Sequence, residues 1–72
     1  MKLSDAKIGE KIIIAAVGGD ARARLESMGV RAGQPAAVER FAPANGALLV
    51  RVNGIAVVMR REIARFIEVQ RV

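Results

Sequence analysis

The stretch GGDARARLESMGVRAG, from Gly18 to Gly33, predicts one short helix between glycines in a sequence otherwise rich in strand residues. Ala21, Leu25 and Met28 fall at positions i, i+4 and i+7, which form a narrow apolar stripe on one face of a helix. We expect this stripe to face the core of the domain. Most of the circumference of the helix is then left for solvent or for a partner.

Both ends of this helix carry boundary signals. Asp20 is placed as an N-cap or as a first-turn acid that the helix dipole favours. Gly29 stands at the C′ position, where glycine commonly adopts a left-handed backbone, and the apolar Val30 follows it. Arg22 and Glu26 are four residues apart, a spacing that allows an ion pair along the helix.

Strand-forming residues occupy most of the remaining chain. β-branched and apolar runs predict five short strands, at Lys11–Val17, Pro35–Phe41, Ala47–Val52, Ile55–Arg60 and Arg65–Val69. Asn53-Gly54 predicts a two-residue type I′ hairpin between the third and fourth strands. Two turns and one helical turn complete the pattern, at Arg31–Gln34, Ala42–Gly46 and Arg61–Ala64.

Alternation along the third and fourth strands predicts which of their side chains are buried. Arg51 and Arg60 are taken to face solvent, which assigns the alternate positions to the core. The inward set is Leu48, Val50, Val52, Ile55, Val57 and Met59, and the outward set is Leu49, Ala56 and Val58. Ile67 and Val69 of the last strand are expected to be buried. Three consecutive isoleucines in the first strand fit either alternation, so its inward face stays open.

These elements predict a mainly β fold, a small half-open barrel of about five strands with one inserted short helix. Closing the sheet protects strand edges that a flat sheet of this size would expose. Leu25 and Met28 of the helix would plug one end of the barrel. The chain has 72 residues and shows no linker or repeat, so residues 1–72 are expected to form a single domain.

Composition excludes several classes of function. The sequence has no cysteine and no histidine, so it lacks the usual ligands of transition metals and the commonest general bases. The seven Asp and Glu residues show no acid/base spacing. Gly18-Gly19 precede a helix, as in anion sites, but the P-loop spacing is absent and Asp20 would repel phosphate. We expect no enzyme activity, no cofactor and no metal site.

The net charge points towards an anionic partner or simply a soluble basic protein. Lys and Arg total 12 against 7 for Asp and Glu, which gives +5. Two phenylalanines are the only aromatic residues, which argues against single-stranded nucleic acid because such sites stack bases on aromatic rings. There is no apolar run of membrane-spanning length and no signal-peptide pattern, so we expect a cytoplasmic protein.

Several segments resemble one known family. RARLESMGVRAG, from Arg22 to Gly33, is similar to the R-x-R-L-x-x-(L/M)-G-(L/V)-x-x-G signature of the FeoA family, ferrous iron transport protein A. LSDAKIGEK resembles the opening of the family, and FAP precedes a turn as it does there. NGIAVVMRREIARFIEV resembles the usual ending, a hairpin followed by a helical turn and a closing I-x-V. The resemblance covers nearly the whole chain.

The sequence departs from the family pattern at a few positions. Ala32-Gly33 stand where the family often has Pro-Gly, and Asn45-Gly46-Ala47 stand where it often has Gly-Asp-Pro. Ala21 and Glu26 occupy helix positions that are often large aliphatic residues. These departures concern two loops and the outer face of the helix, and they leave the barrel unaffected.

The resemblance implies an SH3-like β-barrel with an inserted helix. It also implies a small cytoplasmic accessory protein of bacterial ferrous iron uptake, whose partner is the FeoB membrane transporter with its cytoplasmic GTP-binding domain. Two alternatives stay open. One is a small barrel that binds nucleic acid, and the other is a regulatory domain related to the C-terminal appendage of metal-dependent repressors.

Arginine dominates the cations, and its planar fork suits contacts with carboxylates at protein interfaces. The candidate partner-binding residues combine the helix with two outward strand positions: Arg22, Arg24, Leu25, Glu26, Met28, Leu49 and Val58. The outward apolar residues form either the centre of an exposed patch or a surface covered by the N-terminal segment or by a second copy of the chain.

Overall fold

The computed structural model describes residues 1–43 and 46–72 and has a mainly β architecture. The strands are β1 (Lys11–Val17), β2 (Pro35–Phe41), β3 (Ala47–Val52), β4 (Ile55–Arg60) and β5 (Ile67–Arg71). The helices are α1 (Arg22–Ser27), α2 (Arg61–Ala64) and a 3-10 turn at Leu3–Asp5. The predicted bounds of β1 to β4 and of α2 are confirmed, and β5 begins two residues later than predicted. The predicted turn at Ala42–Gly46 includes Ala44 and Asn45, which lie outside the described residues.

The five strands form one antiparallel sheet in the order β4-β3-β2-β1-β5. Register shifts occur between Ile14 and Ala16 of β1 and between Val38 and Arg40 of β2. A bulge of this kind adds one residue to a strand and increases its bend. The sheet therefore curves around a single core to which every strand contributes buried side chains.

The bulge in β1 decides which of its isoleucines are buried. Ile12 and Ile14 are buried, Ile13 faces outward, and the two following alanines are both exposed before Val17 returns to the core. Strict alternation from Ile12 would have turned Val17 outward. The extra residue at the bulge shifts the alternation by one position, so that Val17 faces the core.

The hairpin prediction is confirmed, and so are most of the buried positions. Asn53 and Gly54 have φ values of 50° and 85°, as a type I′ turn requires. The buried residues of β3 to β5 are Leu48, Val50, Val52, Val57, Met59, Ile67 and Val69. Ile55 is a wrong prediction because it is 58% exposed. It follows the turn directly, at the end of an edge strand where no element of the described chain covers it.

The apolar stripe of α1 differs from the prediction. Leu25 is buried and Ala21 packs partly against the core, but Met28 is 45% exposed. Val30 takes the predicted place of Met28 and is fully buried. The cause is the end of the helix: Gly29 has a φ of 97°, which reverses the chain and turns Val30 inward.

The hydrogen bonds at the end of α1 form a Schellman motif. The N–H of Val30 donates to the carbonyl of Leu25 at 2.9 Å, and the N–H of Gly29 donates to the carbonyl of Glu26 at 3.2 Å. The start of α1, in contrast, has no side-chain cap. Ala21 is the N-cap and makes no side-chain capping bond, so the expected role of Asp20 as a cap or first-turn acid is wrong.

Candidate partner-binding surface

A groove lies between the start of α1 and the helical turn α2. Its volume is about 390 Å³, and its lining consists of Gly18, Gly19, Asp20, Ala21, Arg24, Glu62, Ile63 and Phe66. We call it the α1–α2 groove. Its lining is mainly apolar, and the side chain of Phe66 remains 59% exposed within it.

Phe66 forms a wall of the α1–α2 groove and is held by the loop that joins β1 to α1. The N–H of Gly18 donates to the carbonyl of Phe66 at 2.9 Å. Gly19 has a φ of 81°, and a Cβ added there would lie 2.9 Å from Cγ of the Phe66 ring. The absence of a side chain at Gly19 therefore lets the ring pack directly against the backbone. Two segments that are distant in sequence together fix this exposed aromatic side chain.

The rim of the α1–α2 groove carries charges of both signs. Arg24 is exposed and forms no ion pair within residues 1–43 and 46–72. Asp20 and Glu62 also lie on the rim, and each is likewise unpaired among the described residues. The guanidinium of Arg24 is thus available to an external carboxylate, next to an apolar surface.

A second depression lies beside β4 and is lined by Ala47, Val58, Met59, Arg60 and Glu62. Glu62 therefore lines both depressions. The predicted residue Arg24 lines the first depression and the predicted residue Val58 lines the second. Val58 is 71% exposed, which makes it one of the most exposed large apolar side chains of the described chain.

The predicted site residues fall into three groups in the structure. Arg24 and Val58 are exposed as predicted, and Met28 is exposed although the apolar stripe was expected to face the core. Leu25 is buried at 4% exposure and therefore offers little surface to a partner. Arg22 and Glu26 form the expected ion pair, with Nε and Oε2 3.4 Å apart.

Leu49 is half-buried rather than exposed, because its neighbours across the sheet, Arg40 and Val58, lie on either side of it. An outward position in an interior strand is shielded by both neighbouring strands. Leu49 therefore offers less surface to a partner than Val58 on the edge strand does.

Sequence reasoning missed Ile63 and Phe66, which complete the α1–α2 groove. One signal could have indicated Phe66: it is one of only two aromatic residues, and it falls two residues after the predicted helical turn. The other aromatic residue, Phe41, is partly buried. The guanidinium of Arg61 lies over its ring, 5.1 Å from the ring centroid. This cation–π contact fixes Arg61 beside the end of β4.

The ion pairs among residues 1–43 and 46–72 lie outside both depressions. The pKa of Glu10 is lowered by the backbone N–H of Lys7 and by the guanidinium of Arg71. Hydrogen bonding to Arg51 lowers the pKa of Glu39. These carboxylates are neutralised within the chain, so the unpaired arginines dominate the charge beside α2 and β4.

Across residues 1–43 and 46–72, no three His, Cys, Asp or Glu side chains come together as a metal site would require. Neither α1 nor α2 is long and apolar enough to cross a bilayer, and this holds for every helix of the described chain.

Comparison with known proteins decides the family. A protein-family model described as the FeoA domain matches residues 1–71. The chain belongs to the FeoA family. The resemblance of the Arg22–Gly33 segment and of the two ends of the chain is thereby confirmed. No curated protein matches the chain at a significant level.

Solved structures of FeoA-family proteins share this fold. The solution structure of the FeoA protein from Chlorobium tepidum is 36% identical, with a TM-score of 0.93, and the match covers 99% of this chain and 70% of that one. Iron(II) transport protein A from Clostridium thermocellum is 27% identical with a TM-score of 0.89, and the match covers all of this chain but 46% of that chain.

A third neighbour supplies the name of the fold. FeoA from Stenotrophomonas maltophilia, solved in complex with zinc, is described as an SH3 domain protein. It is 22% identical with a TM-score of 0.84, over 97% of this chain and 89% of that one. The likeness shows that the present chain has the same SH3-like fold. Family membership and the named neighbours suggest a role in ferrous iron transport.

Proposed function

We propose that this FeoA-family chain is a small cytoplasmic accessory protein of ferrous iron uptake that acts by contact with the FeoB membrane transporter. The contact is made with the cytoplasmic GTP-binding domain of the transporter, through the α1–α2 groove. The observation that carries this proposal is the exposed wall of Phe66 beside the unpaired guanidinium of Arg24.

Aromatic side chains and arginine are enriched at protein interfaces, and arginine is among the residues that most often contribute a large part of the binding energy. Phe66 supplies apolar area that is already fixed by the contacts of Gly18 and Gly19, so little conformational entropy is lost on binding. Arg24 supplies a charged fork that matches a carboxylate of the partner. The exposed part of Met28, just beyond the end of α1, is a further apolar contact.

The proposal also rests on what the sequence lacks. The chain has no histidine or cysteine, which ferrous iron sites commonly use alongside carboxylates. A part in iron uptake is therefore assigned to an effect on another protein, and not to carrying the metal ion. A homo-oligomer is compatible with this role, because the groove occupies one side of α2 only.

The test is a binding measurement between this chain and the full-length transporter reconstituted in nanodiscs, in the presence of GTP or GDP. Arg24→Glu is expected to weaken binding about tenfold or more, because it replaces attraction by repulsion at the rim of the groove, next to Phe66. Phe66→Ala is expected to weaken binding to a similar extent by removing the apolar wall.

Lys7→Glu is the matched control, because Lys7 is exposed and forms no ion pair within the described residues. It makes the same change of charge away from the groove, and binding should change by less than about threefold. Each variant is first shown to keep the circular dichroism spectrum of the parent chain. Unchanged affinity of a folded Arg24→Glu variant would discard the groove as the contact surface.

A further inference from the structure

The two edge strands of the sheet differ in whether another segment of the chain covers them. The outer edge of β5 is covered by the N-terminal residues of the chain, since Lys2 pairs with Glu68 and the N–H of Val69 donates to the carbonyl of Met1 at 2.8 Å. The outer edge of β4 has no such cover among the described residues. An uncovered edge strand presents unpaired peptide groups that another chain can join.

The hairpin geometry shows which peptide groups of β4 face outward. In a two-residue hairpin the residues that flank the turn, Val52 and Ile55, form a hydrogen-bonded pair, and bonded pairs then alternate along the ladder. Ala56 and Val58 fall in the non-bonded pairs, so their N–H and C=O groups point away from β3. Neither residue forms a backbone hydrogen bond elsewhere in residues 1–43 and 46–72. We call this row, together with Arg60, the β4 edge.

The side chains on the β4 edge indicate the chemistry of what would bind there. Val58 is 71% exposed and lies in register with Leu49 and Arg40 across the sheet. Arg40 and Arg60 form no ion pair among the described residues, and neither does Arg61 beside them. An exposed apolar residue next to the unpaired Arg60 on the edge strand favours a segment that carries a carboxylate beside an apolar residue.

We propose that the β4 edge binds an extended, acidic segment of a protein partner by strand addition. The segment forms main-chain hydrogen bonds with Ala56 and Val58, and a carboxylate of the segment pairs with Arg60 on the same edge strand. The proposal does not depend on the identity of the transporter or on the α1–α2 groove.

A second copy of this chain is the less favourable occupant. Each copy carries a net charge of +5, so two copies of the chain repel each other electrostatically. An acidic segment meets the same peptide groups without this repulsion.

The experiment is a titration of the full chain, uniformly labelled with ¹⁵N, followed through its amide resonances. The probe is a blocked peptide of about eight residues in which Glu and Val alternate with Thr, so that Glu-Val-Glu lies on one face. The amides of Ala56 and Val58 are expected to shift and to exchange more slowly with solvent. The amides of β5 are expected to remain unchanged because that edge is already covered.

Three comparisons separate strand addition from a general attraction of charges. A peptide with N-methyl groups on the alternate amides that face β4 cannot donate hydrogen bonds to the outward carbonyls of Ala56 and Val58. It should therefore not shift the amide resonances of these two residues. Arg60→Glu should weaken binding about threefold to tenfold, whereas Lys7→Glu, two strands away, should change it by less than about twofold. Val58→Pro removes one outward N–H at a position where an edge strand tolerates proline, and it should abolish the response.

The N-methylated peptide keeps the test decisive if Val58→Pro fails to fold, because it removes the other hydrogen bonds of the same ladder, those that the peptide N–H groups donate to the outward carbonyls of β4. Equal responses to the plain and the N-methylated peptides would overturn the proposal. So would shifts at β4 that depend on protein concentration alone, since they would identify a second copy as the occupant. A peptide response confined to the α1–α2 groove would overturn it as well.

Discussion

The substitution Gly19→Ala tests how the wall of the α1–α2 groove is held. A Cβ at this position would lie 2.9 Å from Cγ, 3.1 Å from Cδ2 and 3.2 Å from Cβ of Phe66, at a φ of 81°. The left-handed backbone costs an alanine about 1–2 kcal/mol, and overpacking adds about 1–3 kcal/mol. Rotation of the ring cannot relieve the contact with Cβ of Phe66, whose backbone is bonded to Gly18. We expect the free energy of unfolding to fall by about 2–5 kcal/mol.

Gly9→Ala is the matched control for this prediction. Gly9 has nearly the same φ, 82°, but an added Cβ would meet nothing within 4 Å. Gly9→Ala should therefore lower the free energy of unfolding only by the cost of the left-handed backbone, about 1–2 kcal/mol. Urea denaturation followed by far-ultraviolet circular dichroism measures both losses, and thermal midpoints should differ by about 4–8 °C for each kcal/mol.

A double-mutant cycle isolates the contact with the ring. In a Phe66→Ala background, the atoms Cγ and Cδ2 are gone, so the excess cost of Gly19→Ala over Gly9→Ala should shrink by about 1 kcal/mol. Equal losses for the two glycine variants in the parent chain would refute the reasoning that Phe66 is seated against Gly19.

Three further predictions concern the core, the hairpin and the ion pairs. Leu25→Ala should cost about 2–4 kcal/mol of unfolding free energy because Leu25 is buried, whereas Met28→Ala, at a side chain that is 45% exposed, should cost less than about 1 kcal/mol. Urea midpoints distinguish the two, and equal costs would show that Met28 is part of the core. Gly54→Ala should cost about 1–2 kcal/mol through its φ of 85° alone, since an added Cβ meets nothing, and a loss much above this range would contradict that account. The lowered pKa of Glu10 stabilises the fold above the unfolded value of 4.5, and this contribution is lost as the pH falls through the lowered pKa. The urea midpoint should therefore fall on acidification below about pH 5, less steeply in Glu10→Gln, and identical pH profiles would contradict the role of the pair with Arg71.

The strands and the hairpin could be predicted because their signals are local. A run of β-branched residues, or the pair Asn53-Gly54, limits the backbone whatever surrounds it, and each such element is present. The error over Met28 arose because positions i and i+7 define a stripe only if the helix extends over both. α1 spans Arg22–Ser27, so Ala21 and Met28 lie at its two caps and beyond the regular helix.

The candidate surface could be predicted only in part, because it depends on which distant segments meet. Periodicity could place Val58 outward, but it could not show that β4 is an edge strand whereas β3 is interior. That difference leaves Val58 exposed and Leu49 half-buried. The contact between Gly19 and Phe66 joins the start of α1 to the end of α2, and no pattern within either segment indicates it.

Glu62 gives a way to test how charge is distributed over the two surfaces. It lines both the α1–α2 groove and the depression beside β4, and it is exposed and without an ion pair among the described residues. Arg60 and Arg61 precede it directly, so its carboxylate reduces the positive potential that would attract an acidic partner. Glu62→Gln should therefore strengthen binding of the acidic peptide to the β4 edge by about twofold to fivefold.

The stability of the Glu62→Gln variant should fall by less than about 1 kcal/mol, because the residue lies in the first turn of α2, where an acid is only mildly favoured. Asp5→Asn removes the same charge from an exposed residue in the 3-10 turn and lines neither depression, so it serves as the control. The gain with Glu62→Gln should disappear as salt is raised, since the attraction acts between exposed charges. An equal gain from Asp5→Asn would show that the peptide responds to the total charge of the chain, and that Glu62 has no particular influence on the β4 edge.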